Sequence, residues 1–329
     1  NVAGKPIRAK APSYLQPKVR KNTSGYFTGE RLDAIDLFIG SEGTLGVVTE
    51  AELKLLPKPE GFLSGIVFFK NDNDLLNFVR EARELSFATR SEEIQNPKSP
   101  GIADRPDASL LEYFDAEALK FIKEKFAEVP EAMAGAIFFE QETDADSEDV
   151  LFEQWSALLE KHHAETDVSW FTTTEQDREK MRAFRHALPV SVNEWIVRHK
   201  QRKVSTDIAV PDEHFASMLR FYQQKLKESN LNYVIFGHIG DCHLHVNILP
   251  KDADEATRAR HLYGRFIAQG IMLGGTVSAE HGIGKIKSKY LYVQYGERYL
   301  NEMAELKRAL DPSGILGRGN VFDAKFLNL

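Results

Sequence analysis

The chain has 329 residues, 42% apolar and 28% charged, with a formal net charge of −7; it is longer than one ordinary domain needs, and its composition is that of a globular protein. The acidic balance argues against nucleic-acid binding, which wants a basic face. A single cysteine, Cys242, rules out an intrachain disulfide, and no apolar run nears the ~20 residues that span a bilayer.

Residues 1–28 read as polar and irregular, with KNTSGY (21–26) as a turn. LFIGSEGTLGVVTEAELKLLPKP (37–59) follows. It joins a short apolar run, a glycine-punctuated loop, and VVTEAELKLL, which alternates like a strand. Glycines in such a loop let backbone N–H groups approach a ligand, although most such loops are plain turns. Pro57 and Pro59 mark a boundary. Beyond it, apolar spacing predicts strands over 61–69, 109–114, 134–142, 168–174 and 205–211. Helices are predicted over 72–86, 116–126, 148–163, 176–198 and 212–229, with a surface loop over 90–106 and a kink or restart at Pro189. This irregular interleaving points to an α+β fold with helices on one face of a sheet.

YVIFGHIGD and CHLHVNIL (233–249) read as two strands joined at Gly240-Asp241. In the second, His243, His245 and Asn247 alternate with Leu244, Val246 and Ile248, so the polar groups share one face. A helix over 255–272 leads to GGTVSAEHGIGK (274–285). A last amphipathic helix over 298–310 turns Leu300, Met303, Leu306 and Leu310 inward, and 311–322 is a terminal loop.

On one straight strand the odd separation of His238 and His245 would send them to opposite faces. The turn at Gly240-Asp241 breaks that parity, so both can converge on one ion, with Glu280 as a third ligand. Two histidines and a carboxylate with open positions suit catalytic zinc, manganese or iron. A lone sheet-face histidine more often just hydrogen-bonds a neighbour; several, with a distant Glu-His pair between glycines, favour the metal. His243 is the alternative to His238, and Cys242 reads as a buried, inert thiol. His281 is either a general base or a loop-stabilising hydrogen-bond partner. Arg185, in MRAFRHALP, can clamp a substrate carboxylate, though most arginines on amphipathic helices are simply solvated. Asp207 reads as a turn or cap residue.

Four blocks, DLFIGSEGTLGVVTEAELKLLPKP, GHIGDCHLHVNI, GGTVSAEHGIGK and LDPSGILGRGNVF, follow one another along the chain. Together they resemble the FAD-linked oxidases of the vanillyl-alcohol oxidase superfamily, in the branch of D-lactate dehydrogenase, D-2-hydroxyglutarate dehydrogenase and the FAD subunit of glycolate oxidase. The resemblance implies FAD as cofactor, contacted by Gly40, Ser41, Glu42, Gly46 and Val48, with the KNTSGY turn lining the same cleft. It implies a divalent metal on His238, His245 and Glu280. It makes His281 the acceptor of the C2 hydroxyl proton while hydride passes to flavin N5, Arg185 the carboxylate-binding residue, and Asn247 a polar substrate contact. The implied fold is α+β: the end of a two-part FAD-binding domain (1–59), a cap domain with an antiparallel sheet covered by helices (60–273), and a C-terminal return segment (274–329). The implied partners are a small 2-hydroxyacid and an electron acceptor, with no nucleic acid; a homodimer is compatible. The expected location is cytoplasmic, with peripheral membrane attachment allowed.

Some residues depart from the family pattern. Cys242-His243 stands where Gly-Asn is usual, which crowds the site or alters the ligation. Gly317-Arg318-Gly319 replaces Asn-Pro-Gly and loses a flavin-facing asparagine, and Lys203 is displaced by two positions from the family lysine. The family's N-terminal half of the FAD domain does not precede Asn1, so the chain is expected to be a fragment, with weak flavin binding by itself. A flavin-free metal hydrolase and a non-catalytic subunit or binding module are the rival readings.

Overall fold

The computed structural model describes residues 7–29, 31–95, 104–144, 146–172 and 174–327. Its elements run β1 (Gly61–Phe69), α1 (Asp72–Gln95), β2 (Leu110–Asp115), α2 (Ala116–Lys123), β3 (Gly135–Thr143), α3 (Glu148–Lys161), β4 (Trp170–Phe171), α4 (Glu175–His199), β5 (Val204–Ser205), β6 (Ile208–Ala209), α5 (Phe215–Ser229), β7 (Tyr233–Gly237), β8 (His243–Ile248), α6 (Ala253–Met272) and α7 (Ser288–Leu310). Short 3-10 turns join several of them. The chain divides into two compact units. A sheet unit comprises 55–206 and 220–263; a loop unit comprises 1–54, 207–219 and 264–329.

The sheet unit is built on antiparallel pairing in the order β4-β1-β3-β2-β7-β8-β5. Its helices cover both faces, not one. In β1 nearly every residue is buried, so both parities must be covered. Ile66 and Phe68 pack with Phe114 and Phe138 against α2 and α4, through Leu119, Ile122, Phe184 and Leu188. On the opposite face Phe69 meets Phe78 of α1, and Phe139 stacks on Trp155 of α3 at 4.6 Å between ring centroids. Runs of buried aromatic residues on both parities, rather than strict alternation, carry that information in the sequence.

Two lengths differ from expectation. Helix α1 continues to Gln95 instead of giving way to a loop at 90. Thr89 is buried and donates to the carbonyls of Leu85 and Pro106, and Arg90 donates to that of Ala108, so this turn is held to the unit. Only Trp170–Phe171 of the expected 168–174 strand pairs, with Gly65 and Ile66; Thr173 lies outside the described residues. Helix α4 runs through Pro189 without restarting. Pro189 has no N–H to offer the carbonyl of Arg185, one turn back.

The loop unit has little regular structure besides α7 and parts of α5 and α6. The expected strand over 47–56 is extended chain with no ladder partner among the described residues, exposed from Val47 through Lys58. Alternation alone does not make a strand: the backbone groups need a neighbour and the apolar face a cover. Likewise 205–211 yields only the short pieces β5 and β6, the latter bridged from Ala209 to Thr276. Helix α7 begins at Ser288 and is broken at Gly296, whose φ of 75° and ψ of 174° are not helical. The apolar pattern resumes only after that break, which is why the earlier half escaped the periodicity. Among the described residues no helix is long and apolar enough to cross a membrane.

Candidate active site

The site in the sheet unit follows from strand register. Phe114 lies opposite Phe236, and Phe236 opposite His245; Val234 lies opposite Asn247. Directly opposed residues share a face, so His245 and Asn247 look to the α2/α4 side with Phe114. Glu112, two residues before Phe114, looks the same way. Strand β7 ends at Gly237, whose φ is +125°. A Cβ there would stand 3.0 Å from His245 Cδ2, so glycine serves both the backbone angle and the close ring. A single 3-10 turn, Ile239–Asp241, and Cys242 in the left-handed region then reverse the chain into β8.

This hairpin gathers three imidazoles. One ligand nitrogen each of His238, His243 and His245 lies within 4.8 Å of the others. His243 is fully buried and His245 nearly so, while His238 is partly open. Imidazole donors of this kind suit zinc, iron, nickel or copper, so the residues fit a divalent transition metal. Beside them Asn247 is buried, its Oδ1 without a hydrogen-bond partner among the described residues.

Glu112 ties the cluster to α4. Its Oε1 lies 2.9 Å from His238 Nδ1 and accepts from Arg185 Nη2 at 2.7 Å. Burial pushes this carboxyl up, but hydrogen bonding and charge from His238 and Arg185 overcome it and the net shift is downward. The Arg185 side chain is 39% exposed, so the guanidinium is reachable from solvent. Glu112 was not anticipated. The available signal was a lone carboxylate inside the apolar run SLLEYF, a position where a charge costs energy unless it is paired.

In the loop unit the Glu-His loop is organised around Asp207, which is 1% exposed. Its carboxylate accepts from Ser278 Oγ at 2.6 Å, from the backbone N–H of Glu280 and of His281 at 3.2 and 3.0 Å, and from Lys287 Nζ at 2.7 Å. The KNTSGY turn is bonded to the same loop: Thr23 N–H donates to the Ser278 carbonyl, and Gly282 N–H to Thr23 Oγ1. His281 is 56% exposed, with Nδ1 3.8 Å from Asp207. Glu280 pairs with Lys21 at 3.3 Å.

Of the residues expected around FAD, Gly40 lines a cleft of about 230 Å³ that Asn22, Thr23 and Gly25 of the KNTSGY turn also line. That is below the ~300–1,000 Å³ usual for a whole small-molecule site. Ser41 is buried, and its carbonyl accepts from Thr44. The Glu42 carboxylate is taken up by the backbone N–H groups of Ile283 and Gly284. Gly46 lies beside Phe38, and Val48 is exposed on the extended segment. Thus Arg185, His238, His245 and Asn247 come together in the sheet unit, and Glu280, His281 and the residues expected around FAD belong to the loop unit.

A sequence profile described as FAD linked oxidases, C-terminal domain, matches residues 99–321. The chain belongs to this family. It is 28% identical over 315 residues to glycolate oxidase subunit GlcD of Bacillus subtilis (strain 168), covering 93% of this chain and 59% of that protein. It is 26% identical over 307 residues to the mitochondrial D-lactate dehydrogenase [cytochrome] of Arabidopsis thaliana, covering 92% and 49%. With D-2-hydroxyglutarate dehydrogenase of Stutzerimonas stutzeri (strain A1501) the identity is 27% over 327 residues, covering 94% and 62%. The chain therefore spans roughly half to six tenths of these relatives' length. Among solved structures it shares its fold with p-cresol methylhydroxylase with substrate bound, at a TM-score of 0.56 and 15% identity over 83% of this chain and 55% of that one. Alkyldihydroxyacetonephosphate synthase matches at 0.54 and 14%, over 88% and 50%.

Proposed function

We propose that this chain serves an FAD-dependent oxidation of a small D-2-hydroxy acid to the 2-oxo acid, assisted by a divalent metal. The observation that carries the reading is the three-imidazole cluster joined through Glu112 to Arg185. The family and the names of its relatives, a glycolate oxidase subunit and dehydrogenases of D-lactate and D-2-hydroxyglutarate, support it.

When bound, FAD supplies the hydride acceptor and zinc, manganese or iron supplies positive charge for the C2 oxygen. Arg185 receives the substrate carboxylate, for which a planar guanidinium is the best-matched side chain. Asn247 offers its buried amide to a polar group of the substrate. His238 and His245 hold the metal, with His243 as a further donor and Glu280 as the ligand drawn from the family resemblance. His281 takes the hydroxyl proton, a task suited to an exposed imidazole near neutral pH. Its backbone N–H is already fixed by Asp207.

The test is a screen of a full-length preparation carrying bound FAD against small 2-hydroxyacids with an artificial electron acceptor, with and without chelator. Oxidation of a D-acid that is lost with chelator and restored by zinc, manganese or iron is the expected result. Metal-dependent hydrolysis that persists after flavin removal, without any acceptor reduction, would point to the hydrolase instead, and absence of oxidation with every acid would overturn the reading.

A further inference from the structure

We propose that Glu112 is a positioning residue that orients two groups through one oxygen: the His238 imidazole and the Arg185 guanidinium. The metal half of this inference rests on the function proposed above; the orienting half rests on geometry alone. Glu112 is 3% exposed and stands on the central strand β2 rather than on a loop. The register that sets Tyr113 against Gly237 brings it beside His238, one residue past the end of β7. Oε1 alone serves both partners, at 2.9 Å from His238 Nδ1 and 2.7 Å from Arg185 Nη2.

An ionised carboxylate only accepts hydrogen bonds. Facing it, Nδ1 is the nitrogen that carries the proton, which makes Nε2 the unprotonated nitrogen of the neutral ring. A carboxylate behind a ligating histidine fixes ring orientation and raises ligand basicity. The same oxygen holds one terminal nitrogen of Arg185, which limits how the rest of the guanidinium can turn toward a substrate carboxylate. Arg185 in turn offsets the cost of burying the Glu112 charge. Glu112 thus links the expected substrate clamp to the expected metal ligand without touching substrate itself.

The experiment uses the chain labelled with ¹⁵N-histidine, in wild-type form and as Glu112→Ala and Glu112→Gln. Long-range ¹H–¹⁵N spectra of the metal-free protein read the His238 tautomer, and a zinc titration reads affinity. The expected wild-type signature is Nδ1–H with an unprotonated Nε2. Glu112→Ala should move His238 toward the Nε2–H form and weaken zinc binding by about 10- to 100-fold, the usual effect of losing such a partner. Glu112→Gln keeps an acceptor near the same place, so it should preserve the tautomer and recover part of the affinity, and it carries the test if the alanine variant does not fold. Unchanged His238 signals and unchanged zinc affinity in both variants would overturn the proposal. A wild-type chain that binds no zinc, yet whose His238 tautomer follows Glu112, would remove the metal reading and leave the positioning role standing.

Discussion

Lys307 and Asp311, one helical turn apart at the end of α7, form an ion pair at 2.8 Å with side chains only 2% and 5% exposed. Lys307 Nζ also donates to the carbonyls of Thr44 and Leu316. One ammonium therefore joins the SEGTLG loop, α7 and the terminal block of the loop unit. Lys307→Met leaves a buried carboxylate unpaired and should lower stability by about 3–5 kcal/mol. Replacing both partners with apolar residues should recover part of that loss, and denaturant unfolding of the single and double variants checks both expectations.

Asp207 predicts a second, more local effect. It accepts from the N–H groups of both Glu280 and His281 and from Lys287. Asp207→Asn leaves Lys287 without its closest counter-charge and removes an acceptor oxygen. Amide hydrogen exchange at residues 278–284 should accelerate at least tenfold, a loss of local protection of about 1.4 kcal/mol or more, within the usual worth of a hydrogen bond to a charged group. Exchange in β1 and β3 of the sheet unit should stay as in wild type. Uniform acceleration across the chain would mean global destabilisation instead.

Asp115 makes stability depend on pH. It caps α2 by accepting from Ala118 N–H and also accepts from Ile235 N–H. Burial is the largest influence on it and outweighs these bonds, raising the carboxyl from 3.8 to about 7. Between those values the folded chain holds a proton that the unfolded chain has released. The stabilisation is full below the unfolded value and is lost as pH rises through the folded one. Urea midpoints should therefore fall between about pH 4 and about pH 7 and level off above. Asp115→Asn cannot release a proton, so its slope over that range should be flatter.

Where side chains repeat along an element, the sequence revealed the elements well. The alternation of His243, His245 and Asn247 gave β8, its face and the turn before it, and the buried stripes gave α3 and α5. What escaped depends on other parts of the chain. Glu112 acquires its place only once β2 lies next to β7, a contact between residues distant in sequence. Asp207 reads as a cap until Ser278, Glu280, His281 and Lys287 arrive around it. The segment 47–56 has strand-like alternation but no neighbour among the described residues, and pairing cannot be read from one strand's own pattern. Helices on the second face of the sheet were missed because β1 and β3 carry apolar residues on both parities, which marks burial without naming what covers it.

Cys242 sits between His238 and His243, in the left-handed turn that sets their geometry, and it is the chain's single thiol. Its burial makes it a built-in clock for that turn. A thiol reagent can react only when the turn opens, so the labelling rate reports the opening equilibrium at one known position, with no engineered probe and no competing cysteine. Any ligand that the histidines hold would slow that clock in proportion to its occupancy.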